Sequence, residues 1–279
     1  MMKYPKKEEL QLIALDLDGT VICSKGESPV SERLQNVVAE LQTHGLPVTF
    51  VTGRTEDYAL PLAKKFGIEL PMVTYNGARI FSVTDSKILH EASIDRTVAQ
   101  KVCDWLQQED EVVACYLNRD GQLHLTQSRC SGRPSHDDYL YGPSRKIVGS
   151  LASEIREQDK VSKLIISTQR PLAKEINEKF GRVAQVVRTH PELIEILPLG
   201  VSKGSGLKKL CQLLQIEPAH VLAIGDQEND ISTFALCGHS VAMGDAPQNV
   251  KDAAQFQTGN FRDEGCAQAL ERLLSKAPR

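Results

Sequence analysis

Apolar and polar positions in the first 90 residues alternate between two rhythms. Leu12-Ile13-Ala14-Leu15 is a short unbroken apolar run, the pattern of a strand buried on both faces. After Ser28-Pro29, apolar residues recur at Val30, Leu34, Val37, Val38 and Leu41. That spacing is one face of a helix, and Gly45 closes it. Residues 48–51 read as a second buried strand, 56–66 as a helix ended by Gly67, and Met72-Val73-Thr74 as a third strand. Strand, helix, strand, helix, strand predicts a parallel α/β sheet. The same grammar returns late in the chain, with helices over 202–214, 229–236 and 263–275 and strands over 221–224 and 240–242.

The middle follows a different pattern. Residues 95–108 read as a helix with Val98, Val102, Trp105 and Leu106 on one face. Strands over 112–117 and 122–126 are joined through Asn118-Arg119-Asp120-Gly121, and Asp-Gly is a strong hairpin signal. A strand at 164–166, a helix over 171–180 and a strand over 183–187 follow. The division predicted is an α/β core made of residues 1–91 and 191–279, interrupted by an α+β module at 92–190. Residues 128–146 read as one long polar loop.

Charge narrows the function classes. Lys and Arg number 33 against 36 Asp and Glu, a formal charge of −3, which leaves no strong electrostatic attraction to nucleic acid or to an anionic membrane. No apolar stretch approaches the roughly 20 residues of a membrane span. The N-terminus does not read as a signal peptide, because Glu8 and Glu9 follow its lysines and the next apolar run is short. Seven cysteines, an odd number without a C-x-x-C pair, form neither a disulfide framework nor a zinc site. The expectation is a cytoplasmic protein of a reducing compartment, with most cysteines in the core.

The chemistry collects at strand ends. Asp16-Leu17-Asp18-Gly19-Thr20 follows the first buried strand, and open α/β sheets bind ligands outside the carboxyl ends of their strands. Two carboxylates so spaced can serve as nucleophile and acid/base or hold a hard cation; the plain alternative is a polar turn. Thr52-Gly53-Arg54 ends the second strand, where a hydroxyl and backbone N–H groups can hold a phosphate or simply turn the chain. Gly225-Asp226-Gln227-Glu228-Asn229-Asp230 ends another strand. Asp226 and Asp230 lie one helical turn apart and can face one point. So many acidic and amide groups after a buried strand are costly unless a cation neutralises them, the alternative being a solvated turn. Lys203, at a helix start, reads on its own as a surface lysine.

Together and in this order, D-x-D-G-T, T-G-R, a lysine and G-D-x-x-N-D resemble the haloacid dehalogenase superfamily of phosphohydrolases. The extra module lies between Thr52 and Lys203, a placement similar to the C2B-capped, Cof-type branch. Thr74-Tyr75-Asn76-Gly77-Ala78, Gly200-Val201-Ser202-Lys203-Gly204 and Val241-Ala242-Met243-Gly244 agree. The resemblance implies a Rossmann-like parallel-sheet core with an inserted α+β C2B cap that closes over the core site and reads the leaving group. It implies Asp16 as nucleophile through an aspartyl-phosphate and Asp18 as acid/base. Mg²⁺ would be held by the Asp16 carboxylate, the Asp18 backbone carbonyl and Asp226, with Asp230 orienting that shell. Thr52, Gly53, Lys203 and Asn229 would take the phosphate, and Arg54 and Asn76 would contact the leaving group.

The function expected from this resemblance is a Mg²⁺-dependent phosphatase of small phosphorylated metabolites, sugar phosphates or phosphorylated cofactors, acting as a monomer or small homo-oligomer. A phosphosugar mutase on the same scaffold is one alternative. A catalytically idle regulatory or stress-associated binding protein is another, and the complete set of Asp16, Asp18, Thr52, Lys203 and Asp226 argues against it. The seven histidines show no metal-ligand spacing and read as surface or structural groups. Gly204-Ser205-Gly206 lacks the rest of a dinucleotide fingerprint. In the polar loop, Arg129, Arg133, Asp137, Asp138, Tyr139 and Tyr141 are candidates for lining a substrate pocket, the alternative being a solvated loop, and His136 is the one histidine that stands apart.

Overall fold

The computed structural model describes residues 3–23, 30–109, 111–117, 122–126, 145–190 and 193–274. The chain forms two compact units, Met1–His90 with Ser202–Arg279 and, between them, Glu91–Val201. No helix among the described residues is long and apolar enough to cross a membrane.

The chain opens with β1 (Leu12–Leu15), α1 (Glu32–Thr43), β2 (Val48–Phe50), α2 (Glu56–Lys65) and β3 (Met72–Thr74), as the periodicity predicts. Two strands that the pattern did not suggest follow, β4 (Arg79–Phe81) and β5 (Ile88–Glu91). The second unit contains α3 (Arg96–Gln108), β6 (Val112–Leu117), β7 (Gln122–Leu125), β8 (Arg145–Ile147), α4 (Leu151–Glu154), β9 (Leu164–Ser167), α5 (Ala173–Phe180), β10 (Ala184–His190) and β11 (Leu193–Pro198). The first unit resumes with α6 (Lys203–Leu214), β12 (Val221–Gly225), α7 (Ile231–Leu236), β13 (His239–Ala242), α8 (Gln248–Ala253), β14 (Phe256–Gln257) and α9 (Gly265–Leu274).

The first unit is built on a parallel sheet of order β14-β13-β12-β1-β2, continued to β3 through a parallel bridge between Val51 and Val73. Every residue of β1 is buried, and its alternation feeds two cores. Ile13 and Leu15 join Leu34, Val38 and Leu41 of α1 and Leu270 of α9 on one face. Leu12 and Ala14 join Leu207 and Leu210 of α6 and Phe234 of α7 on the other. A strand with apolar residues on both faces fits only a sheet covered on both sides, so the Rossmann-like parallel α/β core expected from the sequence is what forms.

The second unit is α+β. Its sheet runs β10-β11-β9-β6-β7-β8, antiparallel except for the parallel β7–β8 pair. Val113, Cys115, Leu164, Ile166, Ile194 and Ile196 pack on Val102 and Leu106 of α3 and Ile176 and Phe180 of α5. Trp105 belongs to the same packing, 5.8 Å from Phe180 between ring centroids.

The second boundary differs from the sequence reading. The core was expected to resume at residue 191, but β11 pairs antiparallel with both β10 and β9, which keeps the chain in the second unit through Val201. The strands β6 and β7 pair antiparallel as the hairpin signal predicts, while 118–121 lie outside the described residues. So do Arg129, Arg133, His136, Asp137, Asp138, Tyr139 and Tyr141. Arg145 and Lys146, expected in the long loop, belong to β8.

Candidate active site

The ends of β1, β2, β3 and β12 lie on one side of the parallel sheet, and each delivers part of one cluster. Ladder pairing runs up to the first carboxylate, because the Asp16 N–H donates to the Ile224 carbonyl at 2.9 Å. The chain then turns tightly at Gly19, whose φ of 82° lies in the left-handed region open to glycine. A side chain there would collide with the Asp226 carboxylate. The Thr20 hydroxyl reaches the same carboxylate at 3.5 Å. The D-x-D-G-T turn is thus folded against the end of β12.

Lys203 is the hub. It is the first residue of α6, whose N-terminus Ser202 caps by accepting the Ser205 N–H. Its side chain is 1% exposed, and its ammonium donates to Asp16 Oδ1 at 2.6 Å and to Asp230 Oδ1 at 2.7 Å. The other oxygen of Asp230 accepts the backbone N–H groups of Asp226 and Gln227, both at 3.0 Å. Both Asp230 oxygens are therefore committed to the protein. Asp226 accepts from Gln227 Nε2 at 2.9 Å. One carboxylate oxygen from each of Asp16, Asp226 and Asp230 falls within a 4.8 Å group of buried donors.

Helix α6 approaches its neighbours closely enough to bring Lys203 into this cluster. A Cβ on Gly206 would stand 2.5 Å from the Gly77 Cα. Gly206 therefore serves packing against the β3–β4 turn and Gly204, where a Cβ would stand 2.2 Å from the Ser232 carbonyl oxygen, packing against α7, which explains G-S-G without a nucleotide.

A second group adjoins through the T-G-R turn. Arg54 places Nε 2.9 Å from Asp18 Oδ2 and Nη2 2.6 Å from Asp18 Oδ1, a two-pronged pair in which the arginine is 9% and the aspartate 17% exposed. The Thr52 hydroxyl, wholly buried, accepts the Arg54 N–H at 3.0 Å. Asn229 Nδ2 donates to Asn76 Oδ1 at 2.9 Å, and the buried Asn229 Oδ1 has no protein partner. Gly53 lies against the same Asn76 amide.

Electrostatics follow from four carboxylates facing two cations, Lys203 and Arg54. Burial, then the proximity of Asp230, raises Asp16 well above the usual carboxylate range. The same two causes push Asp226 up to about 7. Burial works against the Lys203 ammonium, but Asp16 and Asp230 together outweigh it and hold it above the ordinary lysine value. Hard oxygen donors, crowded and resisting ionisation, are the donor set that suits a divalent cation such as Mg²⁺.

All ten residues singled out in the sequence (Asp16, Asp18, Thr52, Gly53, Arg54, Asn76, Lys203, Asp226, Asn229 and Asp230) belong to the first unit and join these contacts. Lys203, unremarkable in sequence, proves to be buried. Arg54, expected to contact a leaving group, is turned onto Asp18. Sequence reasoning missed Thr20 and Gln227 beside Asp226, although both stand inside the motifs that carried the resemblance. It also missed Tyr58, whose ring lies 4.3 Å from the Arg54 Cζ. A tyrosine one helical turn after an arginine was the available signal.

The family model for haloacid dehalogenase-like hydrolases matches residues 13–270. The 5-amino-6-(5-phospho-D-ribitylamino)uracil phosphatase YwtE of Bacillus subtilis is 26% identical over 287 residues, covering 95% of this chain and 99% of that protein. Phosphatase YwpJ of the same organism is 27% identical over 289 residues, covering 95% and 100%. The chain spans only 47% of the chloroplastic endoribonuclease YBEY of Arabidopsis thaliana, to which it is 27% identical over 285 residues. Among solved structures, a haloacid dehalogenase-like hydrolase from Bacteroides thetaiotaomicron superimposes with a TM-score of 0.80 at 26% identity, covering 95% of this chain and 99% of that one. The subclass IIB sugar phosphatase BT4131 shares the fold with a TM-score of 0.81 at 19% identity, covering 94% and 98%. With its strand-end carboxylates, buried lysine and match over nearly its whole length, the chain belongs to the haloacid dehalogenase-like hydrolase family.

Proposed function

We propose that this enzyme is a Mg²⁺-dependent phosphatase of small phosphorylated metabolites, working through an aspartyl-phosphate on Asp16. One observation carries the reading: Lys203 bridges Asp16 and Asp230 in a buried cluster that also contains Asp226, next to an Asp18 that is separately held. That arrangement divides nucleophile from acid/base by position. The phosphatase names of the Bacillus subtilis relatives point the same way.

The Asp16 carboxylate, the Asp18 backbone carbonyl and Asp226 would hold Mg²⁺. The ion would supply positive charge to neutralise the carboxylates and the phosphoryl oxygens. Asp230, which accepts from Lys203 and from two backbone N–H groups, orients Lys203 and the Asp226 turn in this reading. Asp16 attacks phosphorus as the bond to the leaving oxygen breaks, and Asp18 gives that oxygen a proton. Asp18 then takes a proton from the water that attacks the aspartyl-phosphate, releasing phosphate and restoring Asp16. Lys203 and the Thr52 O–H donate to phosphoryl oxygens, and such preorganised donors are most of what phosphoryl transfer requires of a protein. Asn229 gives its N–H to Asn76, so its remaining oxygen is an acceptor suited to a water hydrogen.

The test is free-phosphate release from sugar phosphates, pyridoxal phosphate, flavin mononucleotide and nucleotides, each with Mg²⁺ and with EDTA. Release that needs Mg²⁺ and is absent in Asp16→Asn is the expected result. Isomer formation without free phosphate would point instead to a mutase, and a folded protein inert towards every ester would overturn the proposal.

A further inference from the structure

Arg54 is turned onto a carboxylate of its own chain. Its guanidinium grips both oxygens of Asp18 at 2.6 and 2.9 Å. Its backbone is fixed on both sides, the N–H by the Thr52 hydroxyl at 3.0 Å and the carbonyl by the Tyr75 N–H at 3.0 Å. The Tyr58 ring lies against the guanidinium face, 4.3 Å from Cζ. A planar fork held at its base, face and tips has little rotational freedom left, and a bidentate pair fixes the plane of the carboxylate as well as its position.

We infer that Arg54 is a positioning residue for Asp18, aiming the carboxyl that serves the leaving-group oxygen, and is not a contact for the leaving group itself. The inference rests on the phosphatase reading above. A carboxylate has about four lone-pair sites, and the fork takes one on each oxygen. The second site on each oxygen stays open to the moving proton. In the first step the proton passes from Asp18 to the departing oxygen while Asp16 bonds to phosphorus. In the second it returns to Asp18 from the attacking water. Arg54 keeps its own protons throughout, since guanidinium does not titrate in proteins.

Leaving-group chemistry separates this role from a structural or substrate-binding one. An alkyl alkoxide needs a proton as it departs, whereas p-nitrophenolate leaves as a stable anion. Under single-turnover conditions with Mg²⁺, Arg54→Ala is expected to slow transfer from β-glycerophosphate by about 100-fold, the scale of lost general-acid catalysis. Transfer from p-nitrophenyl phosphate should fall by less than about 10-fold, with the apparent KM of each ester little changed. Arg54→Lys, which keeps the charge without the fork, should recover only part of the alkyl rate. It also serves as the second variant if Arg54→Ala does not fold. Equal losses for both esters, or a raised KM with the rate preserved, would overturn the inference while leaving the phosphatase reading intact. Wild-type protein inert towards both esters would instead overturn that reading, and the inference with it.

Discussion

The Lys203 ammonium and the Asp16 carboxylate, 187 positions apart in the chain, meet at 2.6 Å with neither side chain more than 5% exposed. So close a buried pair holds the Asp16 carboxylate in one orientation. It also leaves the surrounding carboxylates dependent on this one lysine and on whatever cation joins it. Replacing Lys203 by Met should cost about 10²–10³ in kcat, the scale of losing one preorganised donor. It should also destabilise the protein by about 3–5 kcal/mol, as when one partner of a buried pair is removed. Phosphate release and urea unfolding measure the two, and loss of activity without loss of stability would mean that the pair is not buried in solution.

Metal-free protein should lose stability as pH rises. Asp226 is raised to about 7 from the ordinary carboxylate value, so between about pH 4 and 7 the native state binds more protons than the unfolded chain. Stability from this group is fully present below the unfolded value and is lost as pH climbs through about 7. Asp16 shifts in the same direction. Mg²⁺ competes with these protons, so its stabilising effect should grow over the same window. Thermal unfolding in EDTA and in Mg²⁺, at pH 5.5, 6.5 and 8, should show the two curves diverging. Asp226→Asn should flatten the EDTA curve; an unchanged slope in that variant would contradict the assignment.

Asp230→Asn tests support at a distance from the metal. Asp230 uses one oxygen on Lys203 and the other on two backbone N–H groups. An amide cannot satisfy both sides, because its NH₂ would face another donor. Losing such an outer partner typically costs 10–100-fold in metal affinity, and titration calorimetry with Mg²⁺ should find a drop of about that size. Unchanged affinity would remove Asp230 from the metal's support.

The close approach of α6 to the β3–β4 turn is testable by stability alone. Gly206→Ala would put a methyl 2.5 Å from the Gly77 Cα and 2.7 Å from Val73 Cγ1. Overpacking of that kind costs about 1–3 kcal/mol, read as a lower midpoint in urea. An unchanged midpoint would mean that the helix has room to move.

Much of this was legible in sequence because buried strands and their polar exits are local signals. Leu12-Ile13-Ala14-Leu15 followed by two aspartates announces both a strand and a site. Strands that depend on distant partners were not legible. In β11, Glu195 interrupts an apolar run and argues against a buried strand, yet it is 1% exposed and accepts from Lys163 at 2.9 Å, 32 residues away. Missing that pair set the domain boundary too early. Strand β4 was hidden for the same reason, since its first residue, Arg79, is buried by an ion pair with Glu56 at 2.7 Å and by the Tyr75 ring. The Arg54 side chain likewise finds its partner 36 positions away, at Asp18, and no spacing within T-G-R points to that pair.

The central claim, that Asp16 carries the phosphoryl group, is tested most directly by rapid acid quench. Enzyme with Mg²⁺ would be mixed with a ³²P-labelled monoester, quenched within one turnover, and digested for peptide mapping. The account predicts hydroxylamine-labile label on the peptide containing Asp16 and none in Asp16→Asn. Phosphate release without any labelled peptide, or label that persists in Asp16→Asn, would contradict it.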